Sequence, residues 1–201
     1  YYIIRWAGVD PRDGAPLWYD SEGNLTRTYN DQNRVPWKTS SPDLTGGITS
    51  QLTYKGFSVR ALFSYVLGGY GFSTFGRNVM SDGLNIMSEN LSVNQLDRWQ
   101  KPGDVALSPK PIWGTSTRSV MSSTRHIYKT THVKFKNIAL SYALPERFLK
   151  QVGVSGGKIH LIGDNLLIWT PYDKKERNSY KQSMSGYPVE TSFSLGIDLS
   201  F

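Results

Sequence analysis

Three groups of residues have the types that catalysis or metal binding would use. Gly153-Val154-Ser155-Gly156-Gly157 has the glycine-x-serine-x-glycine spacing of a nucleophile elbow. That elbow sets a serine on a sharp turn between a strand and a helix. Here the segment that follows, 158–169, reads as a strand, so the pattern is a connecting turn. The histidines, His126, His132 and His160, stand at no metal-ligand spacing and read as polar wall or loop residues. Asp10 and Asp13 resemble half a calcium loop, but the remaining ligands are absent and the surrounding residues are turn formers. The chain reads as a non-enzyme, with no catalytic residues, no metal site and no cofactor.

Aromatic side chains carry the one functional signal. Trp18, Tyr19, Trp99 and Trp113 lie in the long segments between the main strands. Indole and phenol rings offer flat apolar faces with a polar handle, which suits stacking on a sugar ring. These four are the candidate substrate-binding residues; the alternative is that they pack the long loops together or contact a partner protein that covers them. Trp169 and Tyr172 read instead as members of an aromatic girdle at a membrane boundary. The basic cluster Lys174, Lys175 and Arg177 reads as a solvated loop. A net charge of +7 without a basic stripe or a recognition motif gives no sign of nucleic acid as a partner.

The elements that position these residues are strands. In 189–201 every second residue is apolar or nearly so: Val189, Thr191, Phe193, Leu195, Ile197, Leu199 and Phe201. Those between are polar or glycine. Period-two alternation describes a strand with one apolar and one wet face. The run exceeds the roughly 9–11 residues that a tilted barrel strand needs to cross a bilayer. Phe193, Leu195, Ile197, Leu199 and Phe201, ending on an aromatic, resemble the signal that the outer-membrane barrel-assembly machinery reads. Mean hydropathy is low at −0.41 and no apolar run approaches the roughly 20 residues a membrane helix needs, but neither speaks against a barrel, where apolar and polar residues alternate.

Further strands follow the same logic. Segments 46–54 and 57–67 form a hairpin across the tight turn Lys55-Gly56. Segment 15–29 holds a smaller hairpin around Ser21-Glu22-Gly23. In 131–144 the apolar phase shifts near Lys136-Asn137, and one extra residue there, a β-bulge, restores a single face. Segment 158–169 places Ile159, Leu161, Leu167 and Trp169 together. Segments 30–45, 68–130 and 170–188 are long and aperiodic, with a short helix expected within 84–99. Counting 1–7 as a strand, six main strands are joined by connections that run long, short, long, short, long. Outer-membrane barrels alternate in this way, with long loops extracellular and short turns periplasmic. The expected fold is all-β: antiparallel up-and-down strands forming part of a large transmembrane barrel, with the C-terminus periplasmic. The opening Tyr1-Tyr2-Ile3-Ile4-Arg5-Trp6 reads as a strand in progress, so residue 1 is expected to be an internal point of a longer polypeptide.

Ordered motifs carry a family likeness. Ala7-Gly8-Val9-Asp10-Pro11 with Gly14 and Pro16-Leu17-Trp18-Tyr19 resembles the C-terminal part of the SusC/RagA-type TonB-dependent outer-membrane transporters. So do Arg98-Trp99-Gln100-Lys101-Pro102-Gly103-Asp104 and Val133-Lys134-Phe135-Lys136-Asn137-Ile138-Ala139-Leu140-Ser141-Tyr142 with Pro145. Asn165-Leu166-Leu167 and Gly196-Ile197-Asp198-Leu199-Ser200-Phe201 complete the set. One departure is Thr170-Pro171-Tyr172-Asp173-Lys174-Lys175, which lacks the Asp-Pro-Glu common in the family. The resemblance implies that residues 1–201 are the C-terminal barrel part, about six strands of a roughly 22-stranded barrel, without the plug. It implies as partners the rest of the barrel and its plug, a SusD-like surface lipoprotein, TonB, outer-membrane lipid, and an oligosaccharide or peptide substrate. The alternative is a soluble β-rich carbohydrate-binding module that uses Trp18, Trp99 and Trp113.

Overall fold

The computed structural model describes residues 1–84, 86–113, 118–149, 153–171 and 189–201. In chain order the strands are β1 (Tyr2–Ile3), β2 (Arg5–Val9), β3 (Pro16–Tyr19), β4 (Leu25–Thr26), β5 (Val35–Pro36), β6 (Leu44–Tyr54), β7 (Phe57–Leu67), β8 (Tyr70–Phe72), β9 (Ile127–Lys129), β10 (His132–Ala143), β11 (Gly156–Trp169) and β12 (Ser192–Ser200). They fall into two compact units. The sheet unit holds β6, β7, β10, β11 and β12. The loop unit, Tyr1–Pro42 with Gly68–Thr130, holds the rest.

The sheet unit is one antiparallel sheet in the order β12-β11-β10-β7-β6. The β6–β7 hairpin closes on Lys55 and Gly56, both at positive φ (47° and 87°). Two left-handed residues make the turn whose twist matches the strands it joins. The register of β10 shifts between Phe135 and Asn137 against both neighbours: Lys136 is the extra residue of the expected bulge against β7, whereas against β11 it faces two residues, Asn165 and Leu166. Opposite it, Asn165 takes a left-handed φ of 53° in β11, and Asn137 donates a 2.8 Å side-chain hydrogen bond to Asp164. β10 ends at Ala143, before Pro145, as a residue without an N–H requires.

Residues 1–7, read above as a sixth wall strand, do not join this sheet. β1 pairs with β5, and β2 pairs with β3 in the three-stranded sheet β2-β3-β4. The aromatic alternation is real, but its partners are local. The expected short helix within 84–99 is only a 3-10 turn at Val93–Leu96; the α-helix of this region lies earlier, at Thr74–Val79. The hairpin in 15–29 forms as expected. Its turn is held by Asp20, whose Oδ1 accepts from the backbone N–H of Glu22, Gly23 and Asn24 at 2.8–3.0 Å.

Two small cores hold the loop unit together. Ile4, Trp18 and Tyr29 form the apolar one, with Trp6 against it. Trp18 meets Trp6 and Tyr29 edge-on at centroid distances of 5.7 and 5.8 Å, the arrangement aromatic quadrupoles favour. The second core is polar. Arg125 grips Asp82 with both terminal nitrogens, and Gln95, Ser108 and Ser119 complete the shell around them.

Candidate functional site

Cross-strand register sorts the sheet residues into ranks. One rank runs Leu52, Val59, Leu140, Leu161, Leu195 across all the strands. The rank nearer the Lys55-Gly56 turn is Tyr54, Phe57, Tyr142, Ile159, Ile197. On the other side stand Ile48, Phe63, Phe135, Leu167, and then Gly46, Tyr65, Val133, Trp169. The bulge at Lys136 is what keeps β10 in step: without it Val133 and Phe135 would point to the opposite face. Phe63 and Phe135 stack at 4.5 Å, and Phe57 lies 4.3 Å from Tyr142.

This face is open. Leu195 is 74% exposed, Leu52 69% and Leu167 68%. A contiguous apolar face of this extent in water would be an association hazard, whereas in lipid it is the solvated side. Aromatic residues sit at its two ends: Tyr54, Phe57 and Tyr142 in one rank, Tyr65 and Trp169 in another. That is the arrangement of paired interfacial girdles. Trp169 stands in the rank at one of these ends. Tyr172 and the Lys174, Lys175, Arg177 cluster lie outside the described residues, as does most of the Thr170–Lys175 departure.

The opposite face is mainly polar. Its ranks include Thr53, Ser58, Ser141, His160, Gly196 and Gln51, Arg60, Ala139, Ile162, Ser194. His160 Nδ1 stands 3.4 Å from Asp198 Oδ2. The His160 ring fills the space above Gly196 where a side chain would otherwise be. On the apolar face Tyr65 does the same for Gly46, 2.5 Å from where a Cβ would sit. Ser155, the centre of the elbow-like pattern, donates its hydroxyl to the Ser200 carbonyl at 2.8 Å and is followed by β11. It ties down the end of β12, and among the described residues its hydroxyl is hydrogen-bonded to no base.

The four aromatic candidates separate. Trp18 is 1% exposed and Trp99 8%, so neither ring face is offered to a ligand. Trp18 fills the apolar core. Trp99 donates from Nε1 to the Pro11 carbonyl at 3.0 Å and covers Gly14. Tyr19 is half-buried, with the Arg5 guanidinium 5.2 Å from its ring centre. Trp113 is 73% exposed. The structure does not gather the four into one aromatic platform.

The suspected half calcium loop is an ion-pair cluster. Arg12 donates to both Asp10 oxygens at 3.0 and 2.8 Å, and Arg27 bridges Asp10 and Asp13. Hydrogen bonds from Arg12 hold the Asp10 carboxyl well below the usual carboxylate range. His126 is buried, and that burial with the neighbouring Arg125 charge pushes its pKa down to about 3. It stays neutral, 3.2 Å from the Ser119 carbonyl.

An antiparallel sheet with one open apolar face and one polar face is a stretch of β-barrel wall. No protein-family profile matches the chain. Curated relatives do. TonB-dependent receptor P3 of Formosa agariphila is 25% identical over 96% of this chain, and TonB-dependent receptor P26 of the same organism is 22% identical over 94%. Among solved structures, the RagAB peptide transporter superposes on the whole chain with a TM-score of 0.77 and 27% identity. The RagAB peptide importer does so in its open-open state (TM-score 0.80, 26% identity) and its closed-closed state (0.78, 28%). Over nearly its whole length the chain is thus similar to TonB-dependent receptors and to the RagAB transporter. It spans about a fifth of the length of the curated relatives, and 22–23% of the RagAB chains.

Proposed function

We propose that this chain is the C-terminal barrel portion of a TonB-dependent outer-membrane importer. The observation that carries this is the ranked apolar face, open across every strand of the sheet. In this reading that face meets lipid, and the polar face with Arg60, His160 and Ser141 meets the plug or lumen. β6 and β12 have one partner each among the described strands. Their free edges pair with the rest of the barrel, since an isolated edge is an aggregation template. The long segments face the cell exterior, where a SusD-like lipoprotein covers them, and TonB supplies energy through the plug. Phe193, Leu195, Ile197 and Leu199 of β12, with Phe201 just beyond it, present the strand that the assembly machinery recognises. The cargo is an oligosaccharide or a peptide, and the likeness to the RagAB peptide transporter favours the peptide. Tyr19 and Trp113 remain the aromatic candidates for touching it.

A soluble carbohydrate-binding module needs open indole faces, and Trp18 and Trp99 do not provide them. The test is uptake by cells carrying or lacking the gene for the intact protein. Labelled oligopeptides and oligosaccharides are supplied with and without a functional TonB. The expected result is gene-dependent and TonB-dependent uptake of one class. Recovery of the protein in the soluble fraction, with uptake unchanged, would overturn the reading.

A further inference from the structure

A cavity of about 240 Å³ opens in the loop unit, lined by Asp13, Gly14, Ala15, Pro16, Arg27, Lys110 and Ile112. Its walls are fixed from two sides. The Lys110 N–H donates to the Gly14 carbonyl at 3.0 Å, and the Ile112 N–H donates to the carbonyl of Asp82 at 3.2 Å, tying this wall to the buried ion pair. Gly14 sits at φ 77° pressed against Trp99 and the Lys110 stem, closer than any side chain would permit. The lining is mixed: Ala15, Pro16 and Ile112 are apolar, and Asp13, Arg27 and Lys110 carry charge.

Those charges do not cancel. Asp10 and Asp13 are matched by Arg12 and Arg27. Among the described residues no carboxylate pairs with Lys110, whose ammonium stands 5.9 Å from the Trp99 ring centre. A cation beside an apolar cavity attracts an anion with an apolar or neutral body. The Arg27 fork is already shared between two carboxylates, so Lys110 is the group left to take one. We propose that this cavity is a binding site for the carboxylate group of a small organic ligand, with Lys110 as its charge partner and Pro16 and Ile112 against its body. The chemistry is common to a peptide C-terminus and to a uronic acid. The site stands apart from the transport reading, because it is built wholly within the loop unit.

The test uses the intact protein in detergent and reads binding alone. The probes are acetyl-trialanine and its C-terminal amide, and glucuronate and glucose. Amine acetylation at Lys110 is followed by peptide mass spectrometry, with Lys55 and Lys101 as internal controls. Either carboxylate, but not its neutral analogue, is expected to slow acetylation of Lys110 severalfold and leave the controls unchanged. Which carboxylate protects more distinguishes the two sources. Lys110→Met keeps the apolar stem and should weaken carboxylate binding about tenfold, as loss of one charge-assisted hydrogen bond does. Lys110→Arg should retain binding. Asp13→Asn removes the competing negative charge and should tighten it, an effect that mere misfolding cannot produce. Equal acetylation with and without carboxylates, or tighter binding by the neutral analogues, would overturn the proposal.

Discussion

Arg125 and Asp82, 43 residues apart in sequence, meet as a two-point ion pair in the interior of the loop unit. Arg125 also lies 5.0 Å from the ring centre of Trp6, so the polar core and the aromatic strand β2 share one side chain. Asp82 holds a left-handed φ of 50°, which suits a short polar residue. Its backbone carbonyl accepts from Ile112 while its carboxylate accepts from Arg125, Ser119 and Gln95. One residue thereby organises segments spread over much of the 68–130 connection.

Removing one partner of this pair should be far worse than removing both. Arg125→Met leaves a buried carboxylate unmatched, at a cost of about 3–5 kcal/mol. The double variant Arg125→Met with Asp82→Asn should recover a large part of that loss. Proteolysis within 74–126 during a denaturant titration measures both. Equal or additive losses would show that the pair is not coupled.

Acid should weaken the loop unit in a window set by His126. Its folded pKa, about 3, lies below the ordinary value of 6.5, so the native state excludes a proton that the unfolded chain binds. The contribution is present in full above pH 6.5 and is lost as pH falls toward 3. The charged groups acting on it are Arg125, Asp82 and Arg77. The paired Asp10 adds acid sensitivity only below its ordinary carboxylate range. His126→Gln should therefore flatten the stability profile between pH 6.5 and 4 and leave the steeper fall below it. An unchanged profile would contradict the assignment.

Two glycines with similar backbones should respond differently to a methyl group. Gly14 (φ 77°) and Gly103 (φ 95°) both require the left-handed region, so alanine strains each by about 1–2 kcal/mol. A Cβ at Gly103 meets nothing within 4 Å, whereas at Gly14 it meets the buried Trp99 ring at 2.7 Å. Gly14→Ala should cost about 1–3 kcal/mol more than Gly103→Ala through overpacking. Thermal unfolding of the two variants compares them, and equal costs would mean that the Trp99 ring can give way.

The wall strands were legible in the sequence because their signal is local. A period of two, a turn glycine at Gly56 and a phase slip at Lys136 are all visible within one strand or hairpin. The loop unit was not, because its contacts are long-range and aperiodic. Nothing near Asp82 in the sequence announces that Arg125, Ser119 and Gln95 converge on it. Residues 1–7 look like β12 in miniature, yet β5 and β3 claim them. Trp18 and Trp99 show why a tryptophan in a loop is ambiguous. The residue that suits a sugar is also the one that best fills a small core, and only Tyr29 and Trp6 from other segments decide the matter for Trp18.

Charge placement on the two faces should matter unequally. Leu195→Arg puts a cation on the open apolar face, where a barrel in lipid loses about 2–4 kcal/mol near the midplane. Ser194→Arg puts it on the polar face and should assemble normally. Folded barrel in outer membranes, read by heat-modifiable gel migration, separates the two. Equal tolerance would remove the facing assignment.

The most direct test of the membrane reading is a scan of label environment along β12. This chain has no cysteine, so single cysteines at 193 to 198 each place one spin label within it. The intact protein is studied in its membrane, and collisions with lipid-soluble oxygen are compared with those of a water-soluble nickel complex. The wall account predicts that oxygen dominates at Phe193, Leu195 and Ile197 and is disfavoured at Ser194, Gly196 and Asp198. Nickel dominating at every position, or no alternation at all, would contradict it.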